Sequence, residues 1–368
     1  MSSVGGMAIT DKVRFGILGC AKIARQVARA ISLSEECELH AVGSRSLEKA
    51  VSFVLDNGLP ASVRIYGSYE AVLDDPEVDA AYIPLPTTLH MEIAVLAAKR
   101  KKHVLLEKPV ALNIGELDRI LEACRANGVQ FMDGTMWMHH PRTAKMKEAL
   151  LDVSRFGQLK LIHSFISYNA GPEFLENDIR VKPDLDALGA LGDIGWYCIR
   201  SILWAVNYQL PNKVVAMHEP VYNDAGVILS AGASLYWSDG KVATFHCSFL
   251  NHMAFEVTAF GTTGIIRVSD IITPFQDKYA TFYSSSVSDF AEVEPGQWAP
   301  APKEHRVDAD VPQEVVMVSE FARLVSGINT RVSKPDEEWV NISRKTQLVL
   351  DAVKDSLMKN YQSVEIIE

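Results

Sequence analysis

Val13-Arg14-Phe15-Gly16-Ile17-Leu18-Gly19-Cys20-Ala21-Lys22-Ile23-Ala24 passes from a buried-strand pattern straight into a helical one, with one glycine turn between them. An apolar run of strand length that opens directly into a helix leaves the first helical N–H groups facing the turn, where the helix dipole favours an anion. Gly19-x-Ala21-x-x-Ala24 can be laid on the G-x-G-x-x-G/A pattern of a pyrophosphate-binding turn. Ala21 adds a methyl where that pattern has its second glycine, so the motif alone fits a packing turn equally well.

The segments that follow decide between the two. A second strand, Glu38 to Gly43, ends in Ser44-Arg45-Ser46. A fold selective for NAD places an acid there to accept the ribose 2'-hydroxyl; an arginine between two hydroxyls, with Lys49 one helical turn on, suits a 2'-phosphate and so NADP over NAD. The competing reading has Ser44 capping a helix over Leu47 to Asn57 and Arg45 in solvent. The alternation then continues through a strand at Arg64, a short helix over Tyr69 to Leu73, a strand over Val78 to Pro86 and a helix from His90 to Arg100. Asn113-x-x-Glu116 opens a further helix in a capping-box pattern, Asn127-Gly128 closes it, and Val129 to Met132 is a sixth strand. Repeated βα units with short loops specify a doubly wound parallel sheet. Residues 1–136 are therefore expected to form a Rossmann domain and 137–368 a second domain.

Val104-Leu105-Leu106 is another buried strand, and Pro109 cannot extend it, so Glu107-Lys108 stands at its carboxyl end, where open α/β sheets bind ligands. In the second half the pattern changes to longer alternating strands: Leu159 to Tyr168, Lys213 to Tyr222, Ile228 to Trp237, Val242 to Leu250 and Phe255 to Val268, with Ser238-Asp239-Gly240 as a hairpin turn. They predict a large, mostly antiparallel sheet in an α+β domain. Helices are expected over Pro141 to Leu151, Leu188 to Val206, Gln313 to Ser326 and Ser343 to Lys359, and a long loop or edge segment over Phe275 to Arg306. The Leu188 helix carries Gly189, Gly192 and Gly195 at a cost of about 1 kcal/mol each against alanine, which suits a close approach, and Asp193 and Tyr197 fall on one helical face.

Composition narrows the function. A chain of 368 residues with 48% hydrophobic and 22% charged residues has the makeup of a soluble globular enzyme, and a net charge of −10 argues against a nucleic-acid partner. Its one basic run, Lys99 to Lys102, complements a helix C-terminus. Five scattered cysteines without a Cys-x-x-Cys point away from disulfides and zinc. Met1 to Thr10 lacks a leader pattern and no apolar run reaches membrane length, so a cytoplasmic protein without a membrane partner is expected. No metal site is expected: His139-His140 has no acid or cysteine at ligand spacing. There is no G-x-S-x-G elbow and no G-x-x-x-x-G-K-[ST] loop.

Gly16-Ile-Leu-Gly19-Cys-Ala-Lys-Ile-Ala24, Pro84 through His90, Glu107-Lys108-Pro109 and Gly189-Ala-Leu-Gly192-Asp193-Ile-Gly195-x-Tyr197 together resemble the glucose-fructose oxidoreductase, inositol dehydrogenase and MocA family, over nearly the whole chain. The Arg-bearing turn after the second strand resembles its dimeric dihydrodiol dehydrogenase and NADP-dependent xylose dehydrogenase branch. The resemblance implies an NADP-dependent oxidoreductase moving hydride between nicotinamide and a carbinol carbon of a sugar, cyclic polyol or dihydrodiol. It implies Lys108, Asp193 and Tyr197 as the catalytic set, with either Tyr197 or Lys108 as the proton-transfer group. Cofactor contacts are expected from Gly19, Ala21, Lys22 and Ile23, from Ser44, Arg45, Ser46 and Lys49, and from Leu85, Pro86, His90, Glu107, Lys108 and Pro109. The Lys108-Pro109 bond is expected to be cis. Trp137, Tyr168 and Trp196 are candidates to line a substrate pocket, since aromatic faces suit sugar C–H groups. A homodimer is expected, because Ser234 to Trp237 and Thr244 to Phe249 carry large side chains facing both ways. The alternative from another class is a sensor or scaffold that binds NADP(H) without turnover.

Overall fold

The computed structural model describes residues 12–276, 278–286 and 301–367. The first half alternates β1 (Val13–Leu18), α1 (Lys22–Leu33), β2 (Cys37–Gly43), α2 (Leu47–Asp56), β3 (Arg64–Tyr66), α3 (Tyr69–Asp74), β4 (Ala80–Ile83), α4 (His90–Lys99), β5 (His103–Leu106), α5 (Ile114–Asn127) and β6 (Phe131–Asp133). The strands pair in parallel in the order β3-β2-β1-β4-β5-β6, so the order reverses between β1 and β4 and opens a crevice at their carboxyl ends. β4 and β5 are buried at every position, as a sheet covered on both faces requires. The side chain of Asn113 accepts the Glu116 N–H at 3.0 Å, Glu116 accepts the Leu112 N–H at 3.1 Å, and Gly128 takes the left-handed conformation past the end of α5.

The second half continues with α6 (Pro141–Leu151), β7 (Leu159–Ser167), α7 (Gly171–Asn177), α8 (Gly189–Asp193), α9 (Gly195–Ala205), β8 (Lys213–Ala216), β9 (Val221–Tyr222), β10 (Ile228–Tyr236), β11 (Val242–Ser248), β12 (Ala254–Gly261), β13 (Gly264–Val268), β14 (Tyr279–Ser286), β15 (Lys303–Asp308), α10 (Gln313–Asn329), α11 (Glu338–Met358) and β16 (Val364–Glu365). These strands form a second sheet in the order β15-β14-β13-β12-β7-β11-β10-β8-β16, with β9 paired to β10. Every pairing is antiparallel except β7 with β11.

Four segments differ from the sequence reading. The Leu188 helix is two helices, broken at Ile194. The Lys213 strand ends at Ala216, before Glu219 takes a positive φ of 58° that extended backbone does not allow. Phe255 to Val268 is a hairpin turned at Thr262-Thr263. The segment assigned to a loop supplies β14 and β15 at the sheet edge, paired from Tyr279 with Asp308 to Ser284 with Lys303; residues 287–300 lie outside the described residues, as does Met1 to Thr10.

The last two long helices return to the first half. α10 packs on α1 and buries Val318, Phe321 and Val325, with Phe321 and Phe15 ring centroids 5.9 Å apart. α11 packs on α5, β6, α9 and β8. At that junction Arg200 and Asp133 are fully buried and paired at 2.8 Å; Ser343 and Thr135 also donate to Asp133, and Arg200 Nε donates to Thr346 at 2.8 Å. A charge pair without water survives only when its remaining polar atoms are satisfied, as these are.

Candidate active site

Lys108 leaves the end of β5 across a cis bond to Pro109 and turns toward the second half of the chain. Its Nζ donates to Asp193 Oδ1 at 2.5 Å and to the Asp193 backbone oxygen at 3.2 Å, and lies 4.9 Å from the Tyr197 ring centroid. Gly192 makes this meeting possible, since a Cβ there would fall 3.3 Å from Pro109 Cγ and closer still to Leu188. The expected trio is therefore together although α8 and α9 do not form one continuous helix. The ammonium faces the phenol ring rather than its hydroxyl.

Two further side chains reach Asp193 Oδ2: the Tyr168 hydroxyl donates at 3.1 Å, and Arg180 Nε lies 3.2 Å away. Burial opposes ionisation of Asp193, but Lys108 and Arg180 outweigh it and hold the carboxyl well below its usual range. Burial likewise opposes the charge of Lys108, and Asp193 then Tyr197 outweigh it, keeping the ammonium above its ordinary value. Tyr197 is pushed up to about 12, by burial first and by Glu107 and Asp193, with Lys108 pulling the other way.

Arg180 joins the site without a motif to mark it. It belongs to a short 3₁₀ turn, Ile179–Val181, in a segment without hydrophobic periodicity; the available signal was an Asp178-Ile-Arg180 charge pair just ahead of the glycine-bearing helix. Tyr168 stands at the site beside Phe174 and Phe249, with centroids at 5.7 and 5.1 Å. Trp137 and Trp196 do not line a pocket. Trp137 is buried edge-on against Trp204, and Trp196 is buried with its N–H donated to Thr135 Oγ1 at 2.9 Å. Both belong to the same buried core cluster.

The candidate cofactor residues divide. Gly19 has φ +114°, and a Cβ there would strike Leu85 Cδ2 at 2.8 Å. Ala21 begins α1 with no side-chain cap, so the first-turn N–H groups beside exposed Lys22 and half-buried Ile23 remain available to an anion. At the end of β2, Ser44 is buried, Ser46 caps α2 by accepting the Lys49 N–H at 3.3 Å, and Arg45 and Lys49 are exposed. The helix cap thus falls to Ser46, and Arg45 is near enough to Tyr69 to pull its phenol down against the burial that raises it. Leu85 is buried and Pro86 half-buried in the loop after β4.

His90 and Glu107 are turned inward. His90 Nε2 lies 2.8 Å from the Leu85 oxygen and Nδ1 3.3 Å from the Val110 oxygen, so the ring ties the loops after β4 and β5 together. Glu107 accepts the Tyr82 hydroxyl at 2.6 Å and the Lys108 N–H at 3.2 Å, with burial pushing its carboxyl up. His139 stacks on Trp339 and His140 accepts the Arg142 N–H at 2.9 Å; among the described residues no group of three or more His, Cys, Asp or Glu is placed to hold a metal. No helix among them is long and apolar enough to cross a membrane.

A parallel sheet whose switch point opens on a glycine turn and an uncapped helix, with a lysine, an acid and a tyrosine converging beside it, is an arrangement that a nucleotide-linked oxidoreductase could use. The chain belongs to the GFO/IDH/MocA oxidoreductase family: residues 13–135 match its NAD-binding Rossmann fold and residues 144–267 its C-terminal domain. It is 30% identical over 362 residues, 96% of this chain and 100% of the relative, to an uncharacterized oxidoreductase of Rhizobium meliloti. It is 35% identical to D-xylose 1-dehydrogenase (NADP(+)) 2 of Haloferax volcanii, over 64% of this chain and 69% of that one. Trans-1,2-dihydrobenzene-1,2-diol dehydrogenase of Danio rerio is 31% identical over 70% of this chain and 74% of its own. In fold it is similar to an aldose-aldose oxidoreductase of Caulobacter crescentus, with TM-score 0.79 and 21% identity over 96% of this chain and 99% of that chain.

Proposed function

We propose that this oxidoreductase is NADP-dependent and acts on a carbinol or carbonyl carbon of a sugar, cyclic polyol or dihydrodiol, with Tyr197 as its proton-transfer group. The observation that carries the reading is the convergence of Lys108, Asp193 and Tyr197 at the carboxyl end of β5. The residues present fit the cofactor: the Gly19 turn leads into a helix whose first N–H groups have no side-chain cap, and the end of β2 offers Arg45 and hydroxyls in place of an acid. Gly19, Ala21, Lys22 and Ile23 would hold its pyrophosphate, and Ser44, Arg45, Ser46 and Lys49 its 2'-phosphate. When bound, the nicotinamide supplies the hydride chemistry.

The chain's own part is orientation and proton movement. At neutral pH the Tyr197 phenol, at about 12, is protonated, and so is Lys108. The resting site is loaded to give a proton, which serves carbonyl reduction directly. In alcohol oxidation Tyr197 must take the proton instead, and the nearby ammonium favours the phenolate it would start from. Asp193 fixes the ammonium, and the Tyr168 hydroxyl helps hold Asp193.

The reading extends to a cytoplasmic homodimer assembled through the second sheet. Leu235, Phe245 and Phe249 are buried inward, while the opposite face shows Tyr236, Phe260, Phe165, Leu161 and Ile265 partly exposed among polar side chains, a surface suited to a second copy. Nicotinamide absorbance during a screen of aldoses, cyclic polyols and vicinal diols with NADP tests the activity, and light scattering at micromolar concentration tests the dimer. Turnover on at least one compound is expected; cofactor binding without turnover on any would leave a silent sensor.

A further inference from the structure

We propose that Arg180 is a positioning residue for Lys108: by holding Oδ2 of Asp193, it keeps that buried carboxylate paired when Lys108 turns from it toward a ligand. This rests on the assignment of Lys108 to the reaction site. As it stands, the Lys108 ammonium is committed to protein, with both its hydrogen bonds on Asp193. The Lys108 and Asp193 side chains are only 11% and 10% exposed, so little water can replace a departing partner. Withdrawing the sole cation from a buried carboxylate is heavily penalised. Here the two carboxylate oxygens have separate cations, Lys108 on Oδ1 and Arg180 on Oδ2.

Arg180 is itself held in place. Its Nη1 pairs with Asp178 Oδ1 at 3.0 Å, and the same oxygen accepts the Arg180 N–H. The far end of this strap is fastened to the loop after β4, where Asp186 Oδ1 accepts the Thr87 N–H at 2.9 Å and its hydroxyl at 2.6 Å, and the Leu185 oxygen accepts the Thr88 N–H at 3.0 Å. A guanidinium stays charged at any working pH, so it can hold Asp193 without competing for the proton in play.

A double-variant cycle in urea on the full chain tests this, with Lys108→Met, Arg180→Met and both together. Each single change leaves one cation on Asp193 and is expected to raise the unfolding constant modestly. The pair is expected to raise it at least about tenfold beyond the product of the singles, and adding Asp193→Asn is expected to abolish that excess, including where the double variant alone does not fold. The groups facing Asp193 are Lys108 from the loop after β5, Arg180 from the strap with its own partner Asp178, Tyr168 just past the end of β7, Tyr197 from α9 and Cys247 from β11. With both cations gone, burial is left to hold the folded carboxyl above its ordinary value, so the double variant loses stability as pH rises above about 4, a slope that a merely structural contact would not create. Singles that multiply without excess, an excess that survives Asp193→Asn, or an unaltered pH slope would overturn the proposal. No cofactor or substrate enters this measurement, so its failure is distinct from failure of the nicotinamide reading, which the absorbance screen judges.

Discussion

Lys108 and Tyr197 meet through the face of the ring: the ammonium lies 4.9 Å from the ring centroid. This geometry separates the two roles of the tyrosine, because the ring supports the cation while the hydroxyl is left for a ligand. Tyr197→Phe keeps the ring and removes the hydroxyl. It is expected to lower kcat by about 10² to 10⁴ with little change in NADPH affinity or thermal unfolding. Steady-state kinetics beside a fluorescence titration check this; near-normal turnover would pass the proton role to Lys108.

Arg45→Asp removes the proposed phosphate donor at the end of β2 and restores an acceptor for a ribose hydroxyl. Each charge-assisted hydrogen bond lost should weaken NADP binding by about 1.5 to 3 kcal/mol, while NAD improves. The ratio of kcat/KM for the two cofactors reads the effect. An unchanged ratio would make Arg45 a solvated side chain.

The strand, turn and helix units of the first half were legible because each is local: the apolar run, the glycine and the capping residue are neighbours in sequence. Asp193 and Tyr197 were legible through a glycine-marked segment, although the break at Ile194 was not, since it reflects packing against strands β10 and β11. Arg180 was hidden because its position depends on Asp186 meeting Thr87, about a hundred residues earlier in the chain, and nothing in its own segment encodes that contact. Trp137 and Trp196 show the same limit: an aromatic side chain can face ligand or core, and here the return of α11 and the Asp133–Arg200 pair close around Trp196.

That pair carries its own prediction. Both side chains are fully buried, and Asp133 is held below its usual range because Arg200, Ser343 and Thr135 outweigh the burial that opposes its charge. Arg200→Met strands the carboxylate and should cost about 3 to 5 kcal/mol in urea unfolding. Arg200→Met with Asp133→Asn should recover part of the loss.

Acid should weaken the fold before the carboxylates titrate. Burial holds His139 and His140 down to about 4, whereas in the unfolded chain they take protons near about 6.5. Their contribution is therefore present above pH about 6.5 and is lost as pH falls toward about 4, because the unfolded state binds the protons that the folded state refuses. His139→Phe retains a ring against Trp339 and removes its share, so its urea midpoint should fall less between these pH values than the wild type's. Parallel curves would show that His139 does not contribute.

Hydride exchange at the Lys108, Asp193 and Tyr197 site can be followed as deuterium passing from the C4 position of labelled NADPH into product. With a carbonyl substrate found in the absorbance screen, the label should appear on the new carbinol carbon with wild-type protein, and its rate of appearance should collapse in Lys108→Met although that variant remains folded. Label absent from the carbinol carbon, or transferred at the wild-type rate by Lys108→Met, would show that hydride does not pass at this site.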